Sequence, residues 1–139
     1  MTAPPKTRRV AASARRLALI GAAPVVIACG LAMHALGSGP VADVVGDVLY
    51  AALIYLLVAA LLPRAPQIVP AAVAIVWCVA IEFFQLTGLP EQWGLAFRPA
   101  MLVFGTVFSP VDIACYVAGI VGVALCDAAV AHVRRAHAA

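Results

Sequence analysis

The sequence contains few charged side chains. Six Asp or Glu and nine Lys or Arg are spread over 139 residues, so charged residues make up 11%, against about 25% in soluble domains. Hydrophobic residues reach 65%, and the mean hydropathy is +1.08. A soluble domain of this size needs more polar side chains to cover its surface. The composition therefore excludes soluble enzymes and nucleic-acid-binding modules.

Motifs for several common chemistries are also missing from the sequence. It contains no Gly-rich phosphate loop, no serine nucleophile motif and no H-E-x-x-H zinc motif. The four cysteines show neither C-x-x-C nor zinc spacing, and we interpret them as apolar packing residues. His34 has no second histidine at ligand spacing. We therefore expect neither a bound metal nor another cofactor.

Four apolar runs are long enough to cross a bilayer as helices, which takes about 20 residues each. They cover residues 17–36, 41–62, 68–86 and 110–130, and Pro/Gly clusters at 37–40 and 63–66 separate the first three. None of the runs alternates with the period of two that a membrane strand needs. The sequence predicts an all-α integral membrane protein with one four-helix domain, residues 17–131. A basic N-terminus (1–16) precedes this domain, and a short tail (132–139) follows it.

The first run also resembles a cleavable signal, because a basic segment precedes it. Val26–Cys29 is similar to the box before a lipoprotein cysteine. The apolar run continues beyond Cys29 to Leu36, which completes one bilayer thickness. We therefore expect a retained helix.

The connection between the third and fourth runs, Thr87–Ser109, is long and contains an apolar piece, Pro99–Phe108. Ten residues cannot cross the bilayer, so this piece predicts an interfacial or re-entrant segment. Ser109 directly precedes Pro110 and is expected to cap the last helix.

The cations indicate the orientation of the chain, because short cytoplasmic loops of membrane proteins are rich in Lys and Arg. Four crossings would place eight of the nine on one side, with only Arg98 opposite: Lys6, Arg8, Arg9, Arg15, Arg16, Arg64, Arg134 and Arg135. We therefore expect a multi-pass protein of the bacterial cytoplasmic (inner) membrane with both termini cytoplasmic. The net charge of +3 needs no nucleic-acid partner.

The acids show a complementary pattern. With this orientation all except Asp127 lie in the outer half, namely Asp43, Asp47, Glu82, Glu91 and Asp112. Helical spacing groups polar residues into three stripes: Asp43, Asp47 and Tyr50; Glu82 and Gln85; Asp112 and Tyr116. Because acids avoid lipid, we expect the stripes to face one another. Arg98 is expected to pair with Glu82 or Asp112.

Two interpretations of these stripes stay open. The polar residues could form a staple that holds the helices together through buried hydrogen bonds and one ion pair. Alternatively they could line a pocket, because several carboxylates opposite one Arg leave charge that water, protons or a ligand must compensate.

Several segments resemble a family of small bacterial membrane proteins, domain of unknown function 2809 (DUF2809). They are Gly46–Ala51, Ile81–Leu86 and Asp112–Ile120, with Arg98, Gly105 and Phe108 at matching positions. The resemblance implies that the family's polar motif consists of Asp47, Tyr50, Glu82, Gln85, Arg98, Asp112 and Tyr116. Asp43, Glu91 and Asp127 do not match it. More distantly, Glu82 and Gln85 with the later Arg and Asp resemble the VanZ family, which implies a link to the cell envelope.

These observations favour a non-enzymatic envelope protein whose outer pocket binds a lipid headgroup or a small amphiphile. The alternative is a membrane-embedded enzyme for a lipid-linked substrate, with Glu82 or Asp47 as general base and Arg98 on a phosphate. A proton-coupled transporter of only four helices would have to form a homo-oligomer. The expected partners are membrane lipids, a lipid-linked or amphiphilic small molecule, and a second copy of the chain.

Overall fold

The computed structural model describes residues 5–105 and 107–136. This part of the chain forms six helices and no strand: α1 (Pro5–Leu36), α2 (Pro40–Leu61), α3 (Ile68–Gln85), α4 (Leu89–Ala96), α5 (Pro99–Phe104) and α6 (Pro110–Ala136). Four of them contain a stretch long and apolar enough to span a bilayer, at Ala12–Leu36, Pro40–Leu61, Ile68–Gln85 and Pro110–Arg134. The predicted all-α fold with four transmembrane helices is confirmed.

The first and last helices, α1 and α6, are longer than the spans predicted for them. α1 already begins at Pro5, within the predicted basic N-terminus, and α6 continues to Ala136, within the predicted tail. Residues 1–4 and 137–139 lie outside the described residues, as do the side chains of the predicted orientation signals Lys6, Arg8, Arg9 and Arg135.

The two ends of the bundle differ in charge. α1 and α3 end, and α2 and α6 begin, at the end that carries Asp43, Asp47 and Asp112, here called the acidic end. The other end carries Arg15, Arg64 and Arg134 and is called the basic end. Because α4 and α5 connect α3 with α6, they belong to the acidic end.

α2 is the central helix and packs against α1, α3 and α6. Its buried face is built largely from small residues at helical spacing, with Ala51, Tyr55 and Ala59 fully buried. Small side chains let membrane helices approach closely, since lipid supplies no hydrophobic force that would hold them together. At Gly119 of α6 the helix backbones approach closely, because a Cβ there would lie 2.6 Å from the Val48 carbonyl oxygen.

Two short helices, α4 and α5, form the connection that contains the apolar piece predicted as interfacial or re-entrant. Trp93 of α4 packs on Phe84 and Phe104, with ring centroids 5.4 and 5.7 Å away. Ser109 caps α6 as predicted, since its Oγ accepts a hydrogen bond from the Asp112 N–H at 3.4 Å. Trp77 of α3 is 45% exposed.

Candidate functional site

The carboxylate of Glu82 is fully buried near the acidic end of α3. Its Oε1 accepts a hydrogen bond from the Tyr116 hydroxyl at 2.8 Å, and its Oε2 accepts one from the Ser109 N–H at 3.0 Å. Both oxygens therefore have a partner, which a buried carboxylate requires. Glu82 joins α3 to the beginning of α6 through hydrogen bonds, as the staple interpretation predicted, but without the expected ion pair among the described residues.

Two further side chains attach α5 to the spanning helices. The Tyr50 hydroxyl donates to the Val103 carbonyl at 2.8 Å, and Gln85 Nε2 donates to the Phe104 carbonyl, also at 2.8 Å. Trp77 Nε1 in turn donates to the Tyr50 hydroxyl at 3.2 Å. These bonds satisfy carbonyls at the end of a helix of only six residues. Tyr50 and Gln85 thus attach α5 to α2 and α3.

A cavity of about 340 Å³, here called the acidic cavity, lies at the acidic end between α1, α2, α3 and α6. Three carboxylates line it, those of Asp43, Asp47 and Asp112. Its wall also includes His34, Gln85 and Tyr116. No Lys or Arg occurs among the described residues that line it. The cavity is therefore an acidic site.

Several polar groups of the cavity wall lack side-chain partners within the described part of the chain. None of the three carboxylates forms an ion pair or a side-chain hydrogen bond there. Gln85 is 6% exposed, and its Oε1 is buried without a hydrogen-bond partner among the described residues. A buried acceptor without a donor costs about 1–3 kcal/mol. No described group of three His, Cys, Asp or Glu is placed to hold a metal ion.

Arg98 lies apart from the acids. It forms no ion pair within the described residues, so the predicted pairing with Glu82 or Asp112 is wrong. The partners of Glu82 are Tyr116 and the Ser109 backbone instead, and α5 begins directly after Arg98. Arg98 lines a second cavity of about 540 Å³, here called the Arg98 groove, with His34, Gly94, Leu95, Pro99, Met101 and Leu102.

The structure thus distributes the seven predicted site residues over three places. Four of them line the acidic cavity: Asp47, Gln85, Asp112 and Tyr116. Tyr50 and Glu82 hold the surrounding helices in place, and Arg98 lies in the adjoining groove. Asp43, which did not match the family motif, belongs to the cavity wall. Glu91 is exposed on α4.

A second polar cluster lies at the basic end and was missed by the sequence analysis. Arg15 of α1 forms an ion pair with Asp127 of α6 at 2.6 Å, and the Tyr55 hydroxyl donates to the same carboxylate at 2.8 Å. The sequence contains a signal for this cluster, because Asp127 is the only acid predicted to lie at the same depth as the cytoplasmic cations. In the sequence Arg15 indicates the orientation of the chain, and its spacing does not indicate a partner on α6.

Comparison with known proteins identifies one related family. A family model described as "Protein of unknown function (DUF2809)" matches residues 36–120, more than half of the chain. The matched region includes all seven predicted site residues but neither Arg15 nor Asp127. No curated protein and no solved structure matches the chain. The more distant VanZ resemblance stays a prediction.

Proposed function

The chain belongs to the DUF2809 family of proteins of unknown function, and from the chemistry of its cavity we propose that it binds a positively charged headgroup of a lipid or small amphiphile. The site is the acidic cavity, and the protein acts in the bacterial cell envelope with this cavity on the outer side of the cytoplasmic membrane. One observation carries the proposal: Asp43, Asp47 and Asp112 line a common cavity that no described Lys or Arg shares.

The electrostatics favour a cation. Three carboxylates near a hydrocarbon phase repel one another and lose hydration, and a bound positive charge offsets both costs. Asp43 and Asp112 lie in the first turns of α2 and α6, where the helix N-termini stabilise negative charge, whereas Asp47 lies beyond the first turn of α2. A ligand with an ammonium group would also supply hydrogen-bond donors for the unpartnered Gln85 Oε1.

Binding fits the geometry better than catalysis does. The enzymatic alternative needs Glu82 or Asp47 as general base, but both Glu82 oxygens are occupied and its side chain is fully buried. The described residues of the cavity wall include no Ser, Thr, Cys or Lys that could attack a substrate. Of the two bases that this alternative needs, only Asp47 lines the cavity.

The test measures binding of decylammonium to the full chain in maltoside micelles by calorimetry, with decanol as the uncharged probe of equal length. Decylammonium should bind and decanol should not. Asp47→Asn and Asp112→Asn should each weaken decylammonium binding about tenfold, the effect expected for one charge-assisted hydrogen bond. Glu91→Gln removes an exposed carboxylate outside the cavity and should leave binding unchanged. Equal binding of both probes, or full affinity in both Asp variants, would overturn the proposal.

A further inference from the structure

We infer that the occupant of the acidic cavity is a single zwitterionic phospholipid with a primary ammonium group, of the phosphatidylethanolamine type. Its ammonium lies among the carboxylates, its phosphate contacts Arg98, and the adjoining glycerol and acyl region lies on the Arg98 groove. This inference rests on the proposed function, and it adds the identity of the lipid class and the role of Arg98.

The two cavities adjoin each other. His34 of α1 lines both the acidic cavity and the Arg98 groove, so one molecule can extend past this side chain from the first into the second. In an ethanolamine headgroup only two carbon atoms separate the ammonium from the phosphate. The lining residues carry charges opposite to those of the headgroup: carboxylates for the ammonium in the acidic cavity, and a guanidinium for the phosphate in the Arg98 groove.

Arg98 is suited to the phosphate. It is the only Lys or Arg among the described residues that line the groove, and no described acid pairs with it. A guanidinium binds phosphate oxygens through two parallel hydrogen bonds. Arg98 directly precedes α5, which is held by hydrogen bonds from Tyr50 and Gln85. Gln85, which lines the acidic cavity, therefore also helps to position the guanidinium.

The rest of the groove is apolar. Leu95 and Leu102 are 79% and 45% exposed, and Pro99 and Met101 lie between them in the groove wall. Apolar side chains beside an unpaired Arg match the order of a phospholipid, in which hydrocarbon follows the phosphate. A free cationic solute would leave both Arg98 and this apolar surface unused.

Gln85 distinguishes a primary ammonium from a quaternary one. Its Oε1 is buried and has no donor among the described residues, so a ligand that carries N–H groups would satisfy it. The ethanolamine ammonium has three such donors, whereas the trimethylammonium group of phosphatidylcholine has none. The geometry therefore favours phosphatidylethanolamine over phosphatidylcholine, although both headgroups carry the same charges.

The first experiment is native mass spectrometry of the full chain, released from nanodiscs with equal amounts of phosphatidylethanolamine, phosphatidylcholine and phosphatidylglycerol that carry identical acyl chains. The protein should retain one phosphatidylethanolamine with about tenfold preference over either other lipid. Equal retention of phosphatidylcholine would overturn the role of Gln85. Equal retention of phosphatidylglycerol would overturn the zwitterionic ligand.

The second experiment compares Arg98→Gln with Arg64→Gln, a matched loss of one exposed cation at the opposite end of the bundle. Arg98→Gln should lose the retained phosphatidylethanolamine about tenfold but bind decylammonium no more weakly than the natural chain. Arg64→Gln should change neither measurement. Full lipid retention by Arg98→Gln, or an equal loss of decylammonium binding, would overturn the assignment of the phosphate to Arg98.

The two measurements also separate this inference from the proposed function. If the natural chain binds decylammonium but retains no phosphatidylethanolamine, the cationic site stands and the phospholipid inference is wrong. If it binds neither, both the site and the inference are wrong.

Discussion

Arg15 and Asp127 form an ion pair that joins the first and last spanning helices, with 2.6 Å between Nη2 and Oδ2. The same guanidinium donates through Nη1 to the carbonyls of Pro63 and Ala65 in the α2–α3 turn, at 3.1 and 2.8 Å. The Tyr55 hydroxyl of α2 donates a further hydrogen bond to the Asp127 carboxylate. The pair thus connects every spanning helix or its adjoining turn at the basic end, opposite the acidic cavity.

We expect Asp127→Ala to lower the free energy of unfolding by roughly 3 kcal/mol, because it leaves the Arg15 charge without its counter-ion in a site where both side chains are largely buried. Thermal unfolding in maltoside micelles, followed by circular dichroism, measures the change. Arg16→Gln, which removes the exposed neighbouring cation, should have little effect. If the two variants unfold at the same temperature, the ion pair does not stabilise the fold.

The partners of Glu82 lead to a second prediction about stability. Glu82→Leu should lower the free energy of unfolding by about 2–3 kcal/mol, since it leaves the Ser109 N–H and the Tyr116 hydroxyl without their acceptor. Glu82→Gln keeps one acceptor oxygen and should cost less. Thermal unfolding of both variants beside Glu91→Leu, an exposed position, gives the comparison. A loss no greater for Glu82→Leu than for Glu91→Leu would contradict the staple.

The four spans could be predicted from the sequence because the bilayer imposes a length of about 20 apolar residues on each helix. Helical spacing and depth also predict that Asp47, Gln85, Asp112 and Tyr116 lie together. All four belong to long helices, and each helix must rotate its polar side chains away from the lipid. The position of Arg98 depends instead on how residues 87–109 divide into α4 and α5. No periodicity in so short a segment determines that path.

The staple and the pocket are alternative interpretations of the polar stripes in the sequence. In the structure different residues correspond to each, with Glu82 as the staple and Asp47 in the cavity wall. Glu82 has enough donors around it to act as a staple, and Asp47 has none in the described part of the chain. One of the two donors to Glu82 is the Ser109 backbone, and a backbone N–H at the beginning of α6 has no signature in residue spacing. The Arg15–Asp127 pair likewise depends on tertiary contact between helices distant in sequence.

Two glycines of α6 provide a matched test of helix packing. Gly119→Ala should lower the free energy of unfolding by about 1–3 kcal/mol, because its Cβ would lie 2.6 Å from the Val48 carbonyl oxygen. Gly122→Ala meets nothing within 4 Å and should be neutral or stabilising, since Ala favours helices. Thermal unfolding of the two variants measures both changes. Equal changes in the free energy of unfolding would contradict the close approach of α2 and α6.

Gly105 ends α5 with a φ of 62°, and an added Cβ there would collide with Gln85 Nε2. Gly105→Ala should therefore displace Gln85 from the Phe104 carbonyl and weaken decylammonium binding about tenfold. Gly39→Ala is the matched control, because its φ of 77° adds similar backbone strain while nothing lies within 4 Å of the new Cβ. Comparable binding by both variants would contradict a role of Gln85 in the site.

The orientation of the bundle determines whether the acidic cavity is accessible from outside the cell, and cysteine labelling tests it. In a chain whose four native cysteines are replaced by Ala, Gln92→Cys places a thiol on exposed α4, and Ala136→Cys places one at the end of α6. A membrane-impermeant maleimide should label position 92 in intact cells and position 136 only after permeabilisation, because the cation-rich end is expected in the cytoplasm. The reverse pattern would place the cavity on the cytoplasmic side, where its ligand would have to come from the inner leaflet.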